Sequence, residues 1–138
     1  MNSTVFRYTS RVTYAQRTVG NHIYYARYLD ILEAARGEFF RELGIPLGTL
    51  QEQDTIFPVI GLEITYKTAA RYDDILTTEI WVAECGGVRV TFGSRILKAD
   101  GTVVIEGVTK HVCTTRDDKP KRLPKEIAEK LATALRTS

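Results

Sequence analysis

The sequence predicts an α+β protein in which one long helix packs against a five-stranded antiparallel sheet. Three observations support this prediction. The chain opens with an alternating apolar and polar segment, continues with a long apolar stripe of helical period, and then returns to period two over four runs. The chain has 138 residues, of which 43% are apolar, so we expect a single domain over residues 1–138 with a packed core.

The first strand and the long helix have the clearest patterns. In the strand, apolar and polar side chains alternate, and the apolar set is Phe6, Tyr8, Val12 and Tyr14. A break follows from Ala15 to His22. In the helix, apolar residues recur every three or four positions along one stripe, which is formed by Tyr28, Leu32, Ala35, Phe39 and Leu43. Gly44 and Pro46 are expected to end the helix.

In the second half of the chain, the sequence pattern predicts four further strands. Residues 45–55 are expected to form a loop. After this loop, alternation returns in runs at about 59–66, 76–82, 88–96 and 102–114. Gly86-Gly87 and Ala99-Asp100-Gly101 are hairpin-turn signals between the last three runs. Pro124 is expected to open a short C-terminal helix.

Composition and charge exclude several classes of protein. The formal net charge of +2 is too small to indicate nucleic-acid binding. No apolar run approaches the ~18 residues of a membrane span, and the first residues lack the basic and apolar regions of an export signal. We therefore expect a cytoplasmic globular protein without a membrane or nucleic-acid partner. Cys85 and Cys113 are expected to be buried thiols.

The densest chemistry lies in residues 16–36, where a loop containing Gly20 and Asn21 leads directly into the long helix. The first turn of a helix leaves backbone N–H groups unpaired and carries partial positive charge. A carbonyl oxygen placed there is polarised, and the oxyanion that develops on it is stabilised. An ordinary capped helix start is the alternative.

Two motifs far apart in the chain match one family pattern. In the first motif the matching residues are His22, Ile23, Ala26, Arg27, Tyr28, Leu29, Glu33, Ala35 and Arg36. In the second they are Tyr66, Ala70, Arg71, Tyr72, Asp73 and Asp74. The last hairpin adds Asp100-Gly101, Glu106-Gly107, Thr109, His111 and Val112. Over about residues 5–123 the chain resembles the hotdog-fold 4-hydroxybenzoyl-CoA/acyl-CoA thioesterases, which implies a helix wrapped by a five-stranded antiparallel sheet.

The resemblance implies an enzyme that hydrolyses the thioester of an acyl-CoA or an acyl-carrier protein and needs no cofactor. The thioester carbonyl would lie at the helix start, near the backbone N–H at the position of Tyr25. Tyr24 and Tyr28 would line the substrate pocket.

One departure from the family pattern affects catalysis. The family's usual Asp, which acts as a nucleophile or positions water, is replaced by Thr18, and a family Gly is replaced by Asn21. Asn tolerates a positive φ. A hydroxyl is a poor base at neutral pH but can position a water molecule, and His22 could supply a base. The candidate catalytic residues are therefore Thr18, Asn21, His22 and Tyr25.

Two alternatives stay open. Polyketide-releasing thioesterases of enediyne pathways also lack this Asp and have a Tyr-Tyr pair at the position of Tyr24 and Tyr25, so a carrier-protein-bound polyketide is a possible substrate. The second alternative is a module that binds acyl-CoA and has lost catalysis.

The remaining polar residues give weaker expectations. Lys119, Lys121 and Arg122 are candidates for binding the CoA phosphates, with a solvated turn as the alternative. No spacing of ligand residues indicates a metal site. Arg36 is expected to pair with Glu33, three positions earlier on the helix. Because the last strand is apolar on both faces, we expect a homodimer or homotetramer in which a second subunit buries part of its surface.

Overall fold

The computed structural model describes residues 5–136, which form a five-stranded sheet with one long helix on one face. The elements are β1 (Phe6–Arg11), α1 (Arg27–Glu42), α2 (Leu47–Glu52), β2 (Val59–Tyr66), β3 (Ile75–Gly86), β4 (Arg89–Lys98), β5 (Val103–Val112) and α3 (Lys125–Ala132). Short 3-10 turns at Tyr14–Gln16 and Val19–Asn21 lie between β1 and α1. The predicted α+β architecture, with one long helix, five antiparallel strands and a short C-terminal helix, is confirmed.

The sheet has the strand order β1-β3-β4-β5-β2, and every neighbouring pair is antiparallel. The two predicted hairpins join β3 to β4 and β4 to β5. Their turns use positive φ angles, 62° at Gly87 and 90° at Gly101, which glycine adopts without steric cost. Strand β2 pairs only with β5, so within the described residues its other edge has no partner strand.

Helix α1 forms because its apolar residues fall on one side. The side chains buried against the sheet are Tyr28, Ile31, Leu32, Ala35, Phe39 and Phe40. Each of the Ile, Leu and Phe side chains among them contributes about 1.5–3 kcal/mol when it leaves water. The N-terminal half of the stripe joins a core cluster with Val12, Ile23 and Ala70, so this half fixes the segments around the helix start. None of the helices in residues 5–136 is long and apolar enough to cross a membrane.

The prediction of a loop at residues 45–55 was wrong, because residues 47–52 form α2. Pro46 precedes the helix, where its missing N–H costs nothing, and Leu50 is buried in the main core. The end of α1 is closer to expectation. Leu43 caps the helix, and Gly44 takes a φ of 81° directly after it.

The last strand and the edge strand of the sheet differ in their surroundings. Strand β5 lies inside the sheet, between β4 and β2, so its hydrogen-bonding edges are satisfied within one chain. Four exposed apolar side chains lie on the edge strand β2, where Val59, Ile60, Leu62 and Tyr66 are each about half exposed, and Ile75 at the start of β3 is also exposed. Of the two cysteines, Cys113 is buried and Cys85 is partly buried, and both are free thiols.

Candidate active site

The segment before α1 folds into a tight turn. Arg17 and Ile23 form an isolated antiparallel bridge, which makes residues 18–22 a closed turn. Gly20 and Asn21 both take positive φ, 69° and 63°. Glycine does this freely and asparagine does so more readily than most residues, so this Gly-Asn pair permits the turn.

The second motif holds this turn in place. Arg71 Nη1 donates a hydrogen bond of 3.0 Å to the carbonyl oxygen of Gly20. The backbone N–H of Tyr72 donates to Asn21 Oδ1 at 3.4 Å, and His22 and Arg71 form an isolated antiparallel bridge. The two motifs that are far apart in the sequence therefore meet at one end of the sheet.

The start of α1 follows immediately. The helix begins at Arg27, and Ala26 in the N-cap position provides no side-chain acceptor. Arg27 N–H is satisfied by the carbonyl of Tyr24 at 2.8 Å. The N–H of Tyr25 has no acceptor among the described residues, although the helix start adds partial positive charge to this region. This N–H is an unused donor at a position with a positive potential.

A cavity of about 250 Å³ lies beside the unused donor. Its walls come from the turn, the helix start and the end of β2, namely His22, Ile23, Tyr25, Tyr28, Tyr66, Lys67, Thr68 and Ala69. The hydroxyl of Tyr66 donates a hydrogen bond of 2.9 Å to the Tyr25 carbonyl. The hydroxyl of Tyr28 accepts one of 3.3 Å from the N–H of Ala70.

The two tyrosine hydroxyls in this cavity act as neutral hydrogen-bonding groups. Burial raises the pKa of Tyr28 above its ordinary value, and burial also raises the pKa of Tyr66. Neither phenol is therefore a base at neutral pH. Of the cavity side chains, His22 is the one that carries an imidazole.

The structure brings some of the predicted site residues to the cavity and leaves others beside it. His22, Tyr25 and Tyr28 line it. Thr18 and Asn21 are exposed on the adjacent turn. Tyr24 does not line the cavity but packs against Tyr25, with ring centroids 4.7 Å apart. Sequence reasoning did not assign Tyr66 to the site, although its place in the second motif was the available signal.

The basic residues near the C-terminus lie at the other end of β2. Lys121 Nζ donates to the Asp54 carbonyl at 3.1 Å and to Thr55 Oγ1 at 2.8 Å, so its ammonium group ties down the segment after α2. Lys119 and Arg122 are exposed on the same loop. This loop is bridged to the chain just before β2, whereas the cavity is at the end of β2, roughly 25 Å away along the strand.

The expected ion pair between Glu33 and Arg36 is absent from the ion pairs of the described residues, and that expectation was wrong. Arg36 turns toward the sheet and lines a small void with Ser94 and Thr109. Burial lowers the pKa of its guanidinium below the ordinary value. Residues 5–136 contain no group of three or more His, Cys, Asp or Glu side chains that could hold a metal ion.

The chain has a long helix on a five-stranded antiparallel sheet, and Arg71 and Tyr72 hold the turn before the helix in place. This combination defines a hotdog-type thioesterase architecture. Residues 12–131 match the model of the thioesterase-like superfamily, and the chain belongs to this family. It is 36% identical over 125 residues to an acyl-CoA thioesterase, YbgC, of Haemophilus influenzae, covering 88% of this chain and 90% of that one. It is 32% identical over 128 residues to the acyl-CoA thioester hydrolase YbgC of Escherichia coli O157:H7, covering 92% and 96%.

A solved structure shows the same fold. The DHNA-CoA thioesterase of Staphylococcus aureus superposes with a TM-score of 0.82 at 26% identity, covering 86% of this chain and 80% of that one.

Proposed function

We propose that this protein hydrolyses the thioester of an acyl-CoA at the cavity beside the start of α1. The observation that carries the proposal is the unused N–H of Tyr25, which lies at the positive end of a helix and beside a cavity. A thioester oxygen that accepts this hydrogen bond gains stabilisation as negative charge develops on it. The names of the YbgC relatives support the same chemistry.

The reaction consumes one water molecule. The water oxygen bonds to the carbonyl carbon, the C–S bond breaks, and the proton lost by the water ends on the leaving thiolate, which gives a free acid and a free thiol. In this chain the hydroxyl of Thr18 positions the water, and His22 is the group able to take up the proton. Tyr66 contributes indirectly, because its bond to the Tyr25 carbonyl fixes the backbone next to the donor.

A second copy of the chain is part of the proposed enzyme. The free edge of β2 and its half-exposed apolar side chains favour pairing with another β2, which makes a homodimer. Antiparallel pairing about a two-fold axis brings the start of the partner's β2 beside the end of this one. The partner's loop that contains Lys119 and Arg122 then lies near the cavity, where it can meet the phosphates of CoA.

The test is a substrate panel of acyl-CoA and acyl-carrier-protein thioesters, with release of free thiol as the readout. We expect turnover of acyl-CoA. A preference for carrier-protein esters would instead favour the polyketide-releasing alternative, and tight binding without thiol release would favour the binding module. If no thioester is bound or cleaved, the proposal is wrong.

A matched pair of variants tests the geometry. Tyr66→Phe removes the hydrogen bond to the Tyr25 carbonyl, which is worth roughly 1 kcal/mol, so kcat should fall by about fivefold. Tyr72→Phe is the control, because the hydroxyl of exposed Tyr72 makes no hydrogen bond to the described residues. Equal kcat values in the two variants would contradict a role for the Tyr66 bond.

A further inference from the structure

Arg36 places a positive charge between α1 and the inner face of the sheet, which is the face that α1 covers. Its side chain is half-buried and borders a small void together with Ser94 and Thr109. Within residues 5–136 the guanidinium makes no ion pair and no hydrogen bond, and Glu33 nearby on α1 is exposed to solvent. A cation that has lost part of its water and gained no partner is costly, so this group has an unused capacity to bind an anion.

The groups around the Arg36 guanidinium carry no negative charge. None of the described residues that line the void is acidic. His111 follows Thr109 on β5, and burial lowers its pKa to about 4, with the positive charge of Arg36 acting in the same direction. The imidazole is therefore neutral at pH 7. The hydroxyl of Ser94 makes only a long hydrogen bond of 3.4 Å, to the Gly107 carbonyl, so it can turn to a better acceptor.

Three rows of cross-strand neighbours on the inner face connect this void to the proposed active site. From β4 through β5 to β2, the rows are Ile96-Ile105-Tyr66, Ser94-Gly107-Ile64 and Phe92-Thr109-Leu62. The first row ends at Tyr66, which lines the thioester cavity, and the third contains Thr109, which lines the void. Tyr66 and Leu62 are four positions apart on one strand, which is about 13 Å. The cavity and the void are therefore two ends of one strip of the sheet.

Helix α1 forms a second wall over the same distance. Tyr28 lines the thioester cavity, whereas Leu32 and Arg36 line the void. Residues four apart lie on the same side of a helix, so these three side chains form one stripe. Tyr28 and Arg36 are about 12 Å apart along the helix axis. Both walls thus lead from the thioester cavity to the Arg36 guanidinium.

The strip between the two walls is apolar except at its ends. Ile64 packs against the cluster that contains Tyr28 and Leu32, and Leu62 is about half exposed. Gly107 in the middle row presents no side chain at all. The void itself, at about 10 Å³, holds no more than one water molecule. A ligand must therefore lie along the strip and meet Arg36 from the exposed side of its guanidinium.

We propose, on the basis of the proposed hydrolysis, that Arg36 binds a carboxylate at the far end of the acyl group, so that the preferred substrates are CoA thioesters of linear dicarboxylic acids. The planar guanidinium matches a carboxylate with two parallel hydrogen bonds. The carbon chain lies on the apolar strip, and the distal carboxylate supplies the missing counter-charge. An extended octanedioyl group suits this distance, because the long arginine side chain leans back toward the start of the helix.

The first test compares thioesters with and without the distal carboxylate. Thiol release gives kcat and KM for octanedioyl-CoA and octanoyl-CoA, and for butanedioyl-CoA and butanoyl-CoA. We expect kcat/KM to be roughly tenfold higher for octanedioyl-CoA than for octanoyl-CoA. The short pair should show no such preference, because a butanedioyl group cannot reach Arg36. The gain should appear in KM rather than in kcat, since the carboxylate is bound equally in the ground state and the transition state.

Three variants assign the preference to the guanidinium. Arg36→Met keeps the apolar stem and removes the charge, so the preference for octanedioyl-CoA should disappear. Arg36→Lys keeps the charge without the planar fork and should retain part of the preference. Arg41→Met removes an exposed arginine of the same helix and is the control, in which the wild-type ratio should be unchanged.

The outcomes separate this inference from the hydrolysis on which it rests. Thiol release without a preference for octanedioyl-CoA, or a preference that persists in Arg36→Met, would overturn the role of Arg36 and leave the hydrolysis standing. If no thiol is released, calorimetric titration of the two octyl thioesters decides: tighter binding of octanedioyl-CoA supports Arg36, and equal or absent binding overturns it. A lower assembly mass in Arg36→Met, with no preference in the wild type, would show that a second copy of the chain supplies the counter-charge and that the proposal is wrong.

Discussion

Thr18 is the residue at which we expect the chemistry of this chain to depart from the family pattern. It stands exposed at the start of the turn, and its backbone holds the turn through bonds that any side chain would leave in place. A carboxylate at this position would add general-base assistance, which is worth about 10²–10⁴-fold in rate. We therefore predict that Thr18→Asp raises kcat for acyl-CoA hydrolysis within this range, measured by thiol release.

Thr18→Asn is the matched control for this prediction, because asparagine has the same shape as aspartate and no basic oxygen. It should show no gain. If Thr18→Asp is no faster than the wild type, the proton is taken up by another group, and His22 becomes the residue to vary.

His111 gives the stability of the fold a pH dependence. It is almost fully buried; its Nδ1–H donates to the Phe57 carbonyl at 3.0 Å, and Nε2 accepts from Thr109 Oγ1 at 3.1 Å. Burial lowers its pKa from 6.5 to about 4. Because the folded pKa lies below the unfolded one, the stabilisation is complete above pH 6.5 and is lost as the pH falls toward 4.

The measurement is urea unfolding at pH 7.5 and pH 5. Between pH 7.5 and pH 5, His111 should lower the free energy of unfolding of the wild type by about 2 kcal/mol. This contribution should be absent in His111→Gln. His22→Gln removes the only other histidine, which is exposed, and should keep the wild-type pH dependence. The prediction is wrong if the His111 variant loses as much stability as the wild type.

At the residue scale, local backbone conformation could be predicted from the sequence better than contacts between residues that are far apart in the chain. The positive φ of Asn21 was expected because this residue replaces a glycine of the family pattern and asparagine tolerates that conformation. The partner of Arg36 was not, because helical spacing favours Glu33 and gives no information about the sheet beneath. The buried contacts of His111 likewise depend on Phe57, which is 54 positions away.

At the scale of elements, the packing of β3 against β4 depends on Gly93, because the indole of Trp81 lies directly against this glycine. Gly93→Ala places a methyl group 2.4 Å from the Trp81 ring, which must then move. Overpacking of this kind costs roughly 1–3 kcal/mol. We predict a loss of this size in the free energy of unfolding, measured with urea.

Gly37→Ala is the control within α1, because nothing lies within 4 Å of the added methyl group. It should stabilise the protein by roughly 0.5–1 kcal/mol through the higher helix propensity of alanine. Equal stability of Gly93→Ala and the wild type would mean that Trp81 repacks without cost.

The elements that the sequence predicted share one property, which is that their signals are local. Gly86-Gly87 and Asp100-Gly101 mark turns whose φ angles demand glycine, and the α1 stripe repeats over four turns. Helix α2 has only six residues, too few for a periodic pattern. Leu50 is buried there by the tertiary core, and no local pattern encodes this packing.

At the scale of the whole molecule, the proposed dimer predicts an effect of the β2 edge on catalysis. Leu62→Lys places a charge on a half-exposed apolar position of β2 and should break the contact between the two β2 edges, which lowers the mass of the assembly. Without the partner's basic loop, KM for acyl-CoA should rise, whereas KM for an acyl-pantetheine, which lacks the nucleotide phosphates, should not. Light scattering and thiol release measure the two effects.

Ile75→Lys is the control for this experiment, because Ile75 is similarly exposed but lies at the start of β3. It should leave both the assembly and KM unchanged. An unchanged assembly mass in Leu62→Lys, or a smaller assembly with unchanged KM for acyl-CoA, would contradict the proposed role of the partner loop.

The bond between Arg71 and Gly20 has a consequence for how the protein acquires its activity. It joins residues 51 positions apart, so it forms only after the intervening helices and β2 have been brought together. Contacts of this range are slow to form, because a long loop must close before they are made. A refolding chain therefore forms its helices before it can turn over substrate. A nascent chain that ends before residue 71 lacks the arginine that holds the turn at residues 18–22 in its native conformation.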